Sequence, residues 1–272
     1  MAVTLLVAGG GKMGAAMLGG LLARGWAAAP DLAVVEPSEE RRHALQRDHP
    51  GLEVLPSLDG AEAASALAGA RDALLAVKPD VAELACRQLG GAGVTRVLSI
   101  VAGLPSQRLE HALGGACVVV RAMPNTPALV GAGVSAMAGG ERATADDLDW
   151  AEGILGAVGS VARVPERLLD AVAGLSGCGP AYCFLVVEAL VEGGVLVGLP
   201  RDLATTLAVA TMAGSAALLA ETGEAPDALR AAVTSPGGAT AAGLRALEAR
   251  GARSAFLEAV VAATERSRTL GH

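Results

Sequence analysis

Aromatic side chains are almost absent from this chain. Two Phe, two Trp and one Tyr make up 2% of its 272 residues, although 52% of the residues are hydrophobic. The apolar mass is therefore Ala, Val and Leu, small side chains that suit close helix–helix and helix–sheet packing. A chain of this length can bury a sizeable core, as one large domain or two smaller ones. Cysteine is scarce: Cys86, Cys117, Cys178 and Cys183 form no CxxC pair, and none of the four histidines stands at ligand spacing from one. This argues against a disulfide framework or a zinc site; no metal is expected, and a reducing, cytoplasmic compartment fits. No Lys/Arg cluster offsets the net charge of −7, which argues against nucleic acid as a partner. The amino terminus lacks the basic start and cleavage site of a signal peptide, and its apolar run, Val3 to Ala8, reads as a strand. Leu203 to Ala220 lacks charge over 18 positions, close to the lower limit for a membrane span. It contains Thr205, Thr206, Thr211 and Ser215, much of the rest is Ala, and Glu188 and Glu192 break the preceding helix. The expectation is a helix buried between subunits and no membrane association.

What is present is glycine in turns. Thr4 to Ala8 is a short apolar run that ends in Gly9-Gly10-Gly11-Lys12-Met13-Gly14, and a helical pattern follows to Ala23. Further strands are expected at Leu32–Val35, around Val54, and at Ala73–Val77, Val94–Val101, Cys117–Val120, Val134–Met137 and Val161–Val164. Helices are expected between them, including Ser38–Gln46, Asp59–Ala68, Asp80–Leu89 and Asp146–Leu155. This alternation predicts a mostly parallel sheet. After Pro165 strand signals stop and helical patterns take over to Leu270, so domains are expected at residues 1–164 and 165–272.

Gly9-x-Gly11-x-x-Gly14 between strand and helix is the dinucleotide-binding pattern in its required context. Gly9 allows the tight turn, Gly11 the approach of a pyrophosphate, and Gly14 close helix–strand packing. Glu36 ends the second strand, where an acidic side chain binds ribose hydroxyls and repels a 2′-phosphate. Ser38, Arg41 and Arg42 just beyond are placed to hold that phosphate, or to cap a helix and face solvent, so NADH and NADPH both stay open. Lys78-Pro79 and Ala102-Gly103 follow strand ends, the edge where such folds bind ligands. Arg121 to Pro127 follows in the same way, with Asn125 bracketed by two prolines near the expected nicotinamide.

Two small-residue turns run into helical patterns in the second half: Gly174 to Tyr182 and Ser235 to Thr240. Each has a proline near an expected helix start. Free N–H groups there, with glycines that admit a ligand, suit a small carboxylate. Two tight turns in a helical bundle are the plainer alternative.

These motifs, in this order, resemble pyrroline-5-carboxylate reductase over essentially the whole chain. Ala76 to Pro79, Ser99 to Gly103, Arg121 to Pro127, Leu175 to Tyr182, Gly198-Leu199-Pro200, Ser235 to Thr240 and Ala262 to Arg268 carry the resemblance with the glycine loop. It implies a Rossmann-type α/β amino-terminal domain and an all-α dimerisation domain, in a homodimer or a ring of dimers such as a decamer. It also implies hydride transfer from NADPH or NADH to the C=N bond of 1-pyrroline-5-carboxylate. Gly9, Gly11, Lys12, Met13, Gly14, Glu36 and Ser38 would then meet the cofactor, with Val77, Lys78, Pro79, Ala102, Gly103 and Asn125. Ser176, Ser235, Gly237, Gly238, Ala239 and Thr240 would surround the substrate, the amides of Gly237 and Gly238 holding its carboxylate. Thr240 is the catalytic candidate, hydrogen-bonding the ring nitrogen. Two departures stand out: Cys178 replaces a common second Ser, and no Asn precedes the Ala73–Val77 strand, Ser57 being the nearest polar residue. Two rivals are a β-hydroxyacid dehydrogenase, which needs a Lys in the helical half where none occurs after Lys78, and a non-catalytic nicotinamide-binding protein.

Overall fold

The computed structural model describes residues 3–60, 63 and 69–270. The helix expected over Asp59–Ala68 falls largely outside them. The chain divides into two compact units, Met1–Cys178 with Ala262–His272, and Gly179–Val261.

The first unit carries β1 (Leu5–Ala8), α1 (Lys12–Ala23), β2 (Leu32–Val35), α2 (Glu39–Asp48), β3 (Glu53–Leu55), β4 (Asp72–Leu75) and α3 (Pro79–Gly91). It continues with β5 (Arg96–Ser99), α4 (Ser106–Ala112), β6 (Val118–Met123), β7 (Gly133–Gly139), α5 (Ala145–Gly156), β8 (Gly159–Arg163) and α6 (Leu169–Val172). The eight strands form one sheet in the order β3-β2-β1-β4-β5-β6-β7-β8. Every pairing is parallel except β6–β7. The two-residue period of a strand sends Leu5 and Val7 to one face, against Met17, Leu18 and Leu21 of α1 and Ile154 and Leu155 of α5. Leu6 and Ala8 go to the other, with Ala82, Cys86 and Leu89 of α3. Burial on both faces explains why these strands read as unbroken apolar runs. Burial also pushes the Cys86 thiol up to about 12, so it is an inert core residue.

The β6 strand runs three residues past the expected end at Val120. Arg121 reads as a strand terminator in sequence, but here it is buried and pairs with Glu166 at 2.7 Å. The short helix α4 was not expected.

Gly174 to Tyr182 is not a tight turn. It continues α6 through one π-helical turn, Ala173–Gly177, closed by the Cys178 N–H donating to the Ala173 carbonyl at 2.8 Å. Such turns insert one residue into a helix.

The remaining helices are α7 (Gly179–Leu196), α8 (Arg201–Thr222), α9 (Pro226–Ala232), α10 (Ala239–Ala249) and α11 (Ala252–Leu270). Glu188 and Glu192 do not break α7, since Glu is a good helix former. In the second unit, α7 and α8 pack where Gly194 meets Ala204, and the buried apolar residues are Val191, Ala204 and Ala208. Phe184, Leu185, Leu190, Leu207, Val209, Phe256 and Leu257 stay exposed. Glu166–Leu196 and Arg201–Thr222 are both long and apolar enough to cross a bilayer by length and composition. In the first unit, the carboxyl end of α11 is held by Ser267 Oγ donating to Asp170 at 2.7 Å.

Candidate active site

The three glycines of the first loop are needed for different reasons. Gly9 has φ +108°, and a Cβ there would lie 2.6 Å from the Ala76 carbonyl oxygen. A Cβ on Gly14 would overlap the Gly9 carbonyl oxygen. Both are required by the fold itself. A Cβ on Gly11 would meet nothing within 4 Å, so the fold does not need this glycine and the open space beside it admits a ligand. Gly11 is the N-cap of α1, which has no side-chain cap and no acidic residue in its first turn. The N–H groups of Lys12 and Met13 begin that helix, facing the same space. By contrast, α2 and α5 are capped by Ser38 and Thr144 and carry acidic residues in their first turns. Ser38 is thus a helix cap, as its plainer reading had it.

Glu36 is buried, with one carboxylate oxygen accepting from the Gly10 N–H at 3.0 Å and the other from the Ser38 N–H at 2.9 Å. It ties the glycine loop to the β2–α2 turn, and each oxygen keeps a lone pair able to accept from a ribose hydroxyl as well. Arg42 Nη1 donates to the carbonyls of Glu36 and Pro37, which anchors the guanidinium at this turn and leaves its Nε and Nη2 donors for other partners. Beside this loop opens a cleft of about 350 Å³ lined by Pro37, Pro56, Leu58, Val77, Val81 and Leu84. Such an apolar slot at the carboxyl ends of parallel strands fits the base of a dinucleotide. Sequence reasoning missed most of this lining; the signal was Val81 and Leu84, which stay half exposed on α3. Ser57 borders the same cleft, its hydroxyl bonded to Asp59.

Lys78 is the exposed N-cap of α3 and Pro79 its first residue, a position where the missing N–H costs nothing. Ala102 and Gly103 turn the chain after β5, with Gly103 at φ +79°. Beyond them, Ser106 donates from N–H and Oγ to Glu166, which also accepts from Arg121. Burial would raise the Glu166 carboxyl, but the hydrogen bonds from Arg121 and Ser106 outweigh it and hold the group below its usual value.

Asn125, expected beside the nicotinamide, makes two hydrogen bonds within the fold. It is buried, its Nδ2 donating to the Ser176 carbonyl at 3.2 Å and its Oδ1 accepting from the Val134 N–H at 2.9 Å. Ser176 Oγ donates to Val172 at 3.1 Å, so toward a substrate the hydroxyl is an acceptor.

In the second unit, Ser235-Pro236-Gly237-Gly238 is a β-turn with Gly237 at φ +72° and the Gly238 N–H donating to the Ser235 carbonyl at 3.0 Å. Proline second and a positive-φ glycine third is the type II pattern. Two expectations change. Pro236 belongs to this turn and not to the helix start. The Gly238 amide is occupied by the turn and unavailable to a carboxylate. Gly238 instead caps α10, again without a side-chain cap or an acidic first turn. The first helical bond runs from Ala242 to Gly238, leaving the N–H groups of Ala239, Thr240 and Ala241 as the free donors. Thr240 is exposed and two residues past the cap, so its hydroxyl does not cap the helix. Among the described residues no group of His, Cys, Asp or Glu could hold a metal. All four cysteines are free.

The glycine loop and doubly covered sheet define a dinucleotide-binding unit, followed in the chain by a helical unit. The family described as "Pyrroline-5-carboxylate reductase dimerisation" matches residues 166–270, and that described as "NADP oxidoreductase coenzyme F420-dependent" matches residues 3–103. Pyrroline-5-carboxylate reductase from Synechocystis sp. is 46% identical over 272 residues, covering 100% of this chain and 99% of the relative. The enzyme of the same name from Mycobacterium tuberculosis is 42% identical over 98% of this chain and 96% of its own. The solved pyrroline-5-carboxylate reductase from Coxiella burnetii covers 100% of both chains with a TM-score of 0.88 at 33% identity. The Plasmodium falciparum pyrroline carboxylate reductase, solved with NADP bound, has a TM-score of 0.86 at 29% identity, covering 99% of this chain and 98% of its own. The chain belongs to the pyrroline-5-carboxylate reductase family.

Proposed function

We propose that this chain reduces 1-pyrroline-5-carboxylate to L-proline with NAD(P)H, the last step of proline biosynthesis. The observation that carries the reading is full-length similarity to reductases of that name, 46% in one case. The residues of the site agree with it. The space at Gly11 and the N-terminus of α1 suit a pyrophosphate, and the apolar cleft suits an adenine. Lys12, Met13, Val77, Lys78, Pro79, Ala102 and Gly103 border the cofactor. The cofactor supplies the hydride that the C=N carbon accepts. The chain holds the acceptor: the free N–H groups of Ala239 and Thr240 take the carboxylate, and the Thr240 hydroxyl meets the ring nitrogen. In the first unit Ser176 is a substrate contact; in the second, Ser235 and Gly237 are. A protonated imine accepts hydride readily, so alignment and exclusion of water account for much of the rate, up to roughly 7–11 kcal/mol.

The functional division is residues 1–164 for cofactor and 165–272 for substrate and dimerisation. The exposed apolar faces of α7 and α8 pack against a second copy and do not cross a membrane; Glu188, Glu192 and the threonines of α8 favour this. Dimers assemble further into a ring, a decamer. The enzyme is cytoplasmic, in keeping with its free thiols, and takes no nucleic acid. The decisive assay offers 1-pyrroline-5-carboxylate with NADH and with NADPH and follows proline formation. Cofactor binding without turnover of this substrate would overturn the proposal and leave a non-catalytic nicotinamide-binding protein.

A further inference from the structure

The Ser176–Cys178 turn and the neighbouring end of the β6–β7 ladder each contain one backbone vacancy, and one side chain fills both. In a regular helix the Ser176 carbonyl accepts from the N–H four residues on, but that residue is Pro180, which has none. The helix widens into its π-turn at this point, and Asn125 Nδ2 donates to the Ser176 carbonyl at 3.2 Å. The second vacancy lies at the end of the β6–β7 ladder. Met123 is the last β6 residue in register, opposite Ala136; two residues further along each strand, Asn125 falls opposite Val134. The Asn125 main-chain carbonyl is taken by the Ala128 N–H at 3.1 Å, and Asn125 Oδ1 accepts the Val134 N–H at 2.9 Å instead. Met123 lies beneath the same turn, 3.5 Å from where a Gly177 Cβ would sit.

We propose that Asn125 is a positioning residue of the substrate site: its amide stands in for one missing backbone donor and one missing acceptor, and so holds the Ser176–Cys178 turn in place. The inference rests on the reading above that this turn borders the substrate. Asn is the side chain that does this. Asp keeps the acceptor for Val134 but presents a lone pair to the Ser176 carbonyl, and Gln is one methylene too long for both bonds at once.

The test is Asn125→Asp in the full-length enzyme, read by kinetics, NADPH binding and hydrogen exchange. The expected result is a loss of kcat/KM on the order of 10-fold, through a raised KM for 1-pyrroline-5-carboxylate. NADPH affinity stays unchanged, and the Cys178 amide exchanges faster. A weakened NADPH affinity would show that Asn125 touches cofactor and would overturn the proposal. So would unchanged exchange at Cys178. Faster exchange with an unchanged KM would remove the turn from the substrate site while leaving the reductase activity standing. If Asn125→Asp does not fold, Pro180→Ala takes its place. It gives the Ser176 carbonyl a backbone donor, favours a regular helix and should raise the same KM with Asn125 intact; an unchanged KM there also overturns the proposal.

Discussion

The two units are built from similar Ala-, Val- and Leu-rich sequence but end in opposite conditions. The first closes its core within one chain: both sheet faces are covered, and Leu5, Leu6, Val7, Leu74 and Leu98 have no exposure. The second buries only Val191, Ala204 and Ala208 among its apolar residues, and leaves Phe184 at 67% and Leu185 at 64% exposed. A monomer does not ordinarily leave such faces in water. Apolar composition therefore says that a helix will be buried, not which chain will bury it. Both units still share one device, an uncapped helix start preceded by glycine, at α1 and at α10. One is suited to the phosphates of a cofactor and the other to a carboxylate.

The comparison breaks most sharply at Gly14 and Gly11. Gly14→Val should unfold the first unit, since even a Cβ overlaps the Gly9 carbonyl. Gly11→Val should keep the wild-type melting temperature and lose NADPH binding. Calorimetry with fluorescence titration separates the two; retained affinity in Gly11→Val would show that the open space is not the pyrophosphate site.

Next comes the claim that the helical unit is half a core. Leu207→Glu places a charge on the exposed face of α8, and an unpaired charge buried between copies costs roughly 3–5 kcal/mol. Light scattering should show a smaller species that still binds NADPH. Wild-type mass and melting temperature would mean that this face is not covered by a second copy.

Thr240 sharpens the contrast between the two helix starts. Thr240→Ala should lower kcat/KM by about 1.5–3 kcal/mol, on the order of 10- to 150-fold, through loss of a hydrogen bond to a charged partner. Thr240→Ser should retain most activity, and the melting temperature should hold in both because Thr240 is no cap. A fall in melting temperature with unchanged kinetics would make it a packing residue.

The smallest expected effect lies within the first unit. Glu166 is held below its usual value of 4.5, so its ionised form stabilises the fold in full at neutral pH, and that contribution fades as pH falls through the lowered value. Glu166→Gln should cost about 1–2 kcal/mol at pH 7, discounted for partial exposure. Urea melts of variant and parent should converge as pH falls through that lowered value and the carboxyl protonates. A constant gap across that range would assign the loss to packing.

Much of this protein is legible residue by residue. The β2 strand, Leu32–Val35, falls at its expected bounds and α5, Ala145–Gly156, within one residue of them, because periodicity and glycine or proline punctuation are local properties. The Gly9–Gly14 loop is legible for the same reason. Side-chain partners are not local. Arg121 looks like a strand end until Glu166, 45 residues on, pairs with it. Glu36 reads only as a strand-end acid until the fold brings its carboxylate to the Gly10 and Ser38 amides. Asn125 looks like a loop residue until the fold sets it between Val134 and Ser176. Residue order settles where the backbone can turn or continue, since steric limits and missing N–H groups act within a few residues. Which polar group meets which is settled when distant segments pack, because a buried donor or acceptor must find a partner wherever the fold places one.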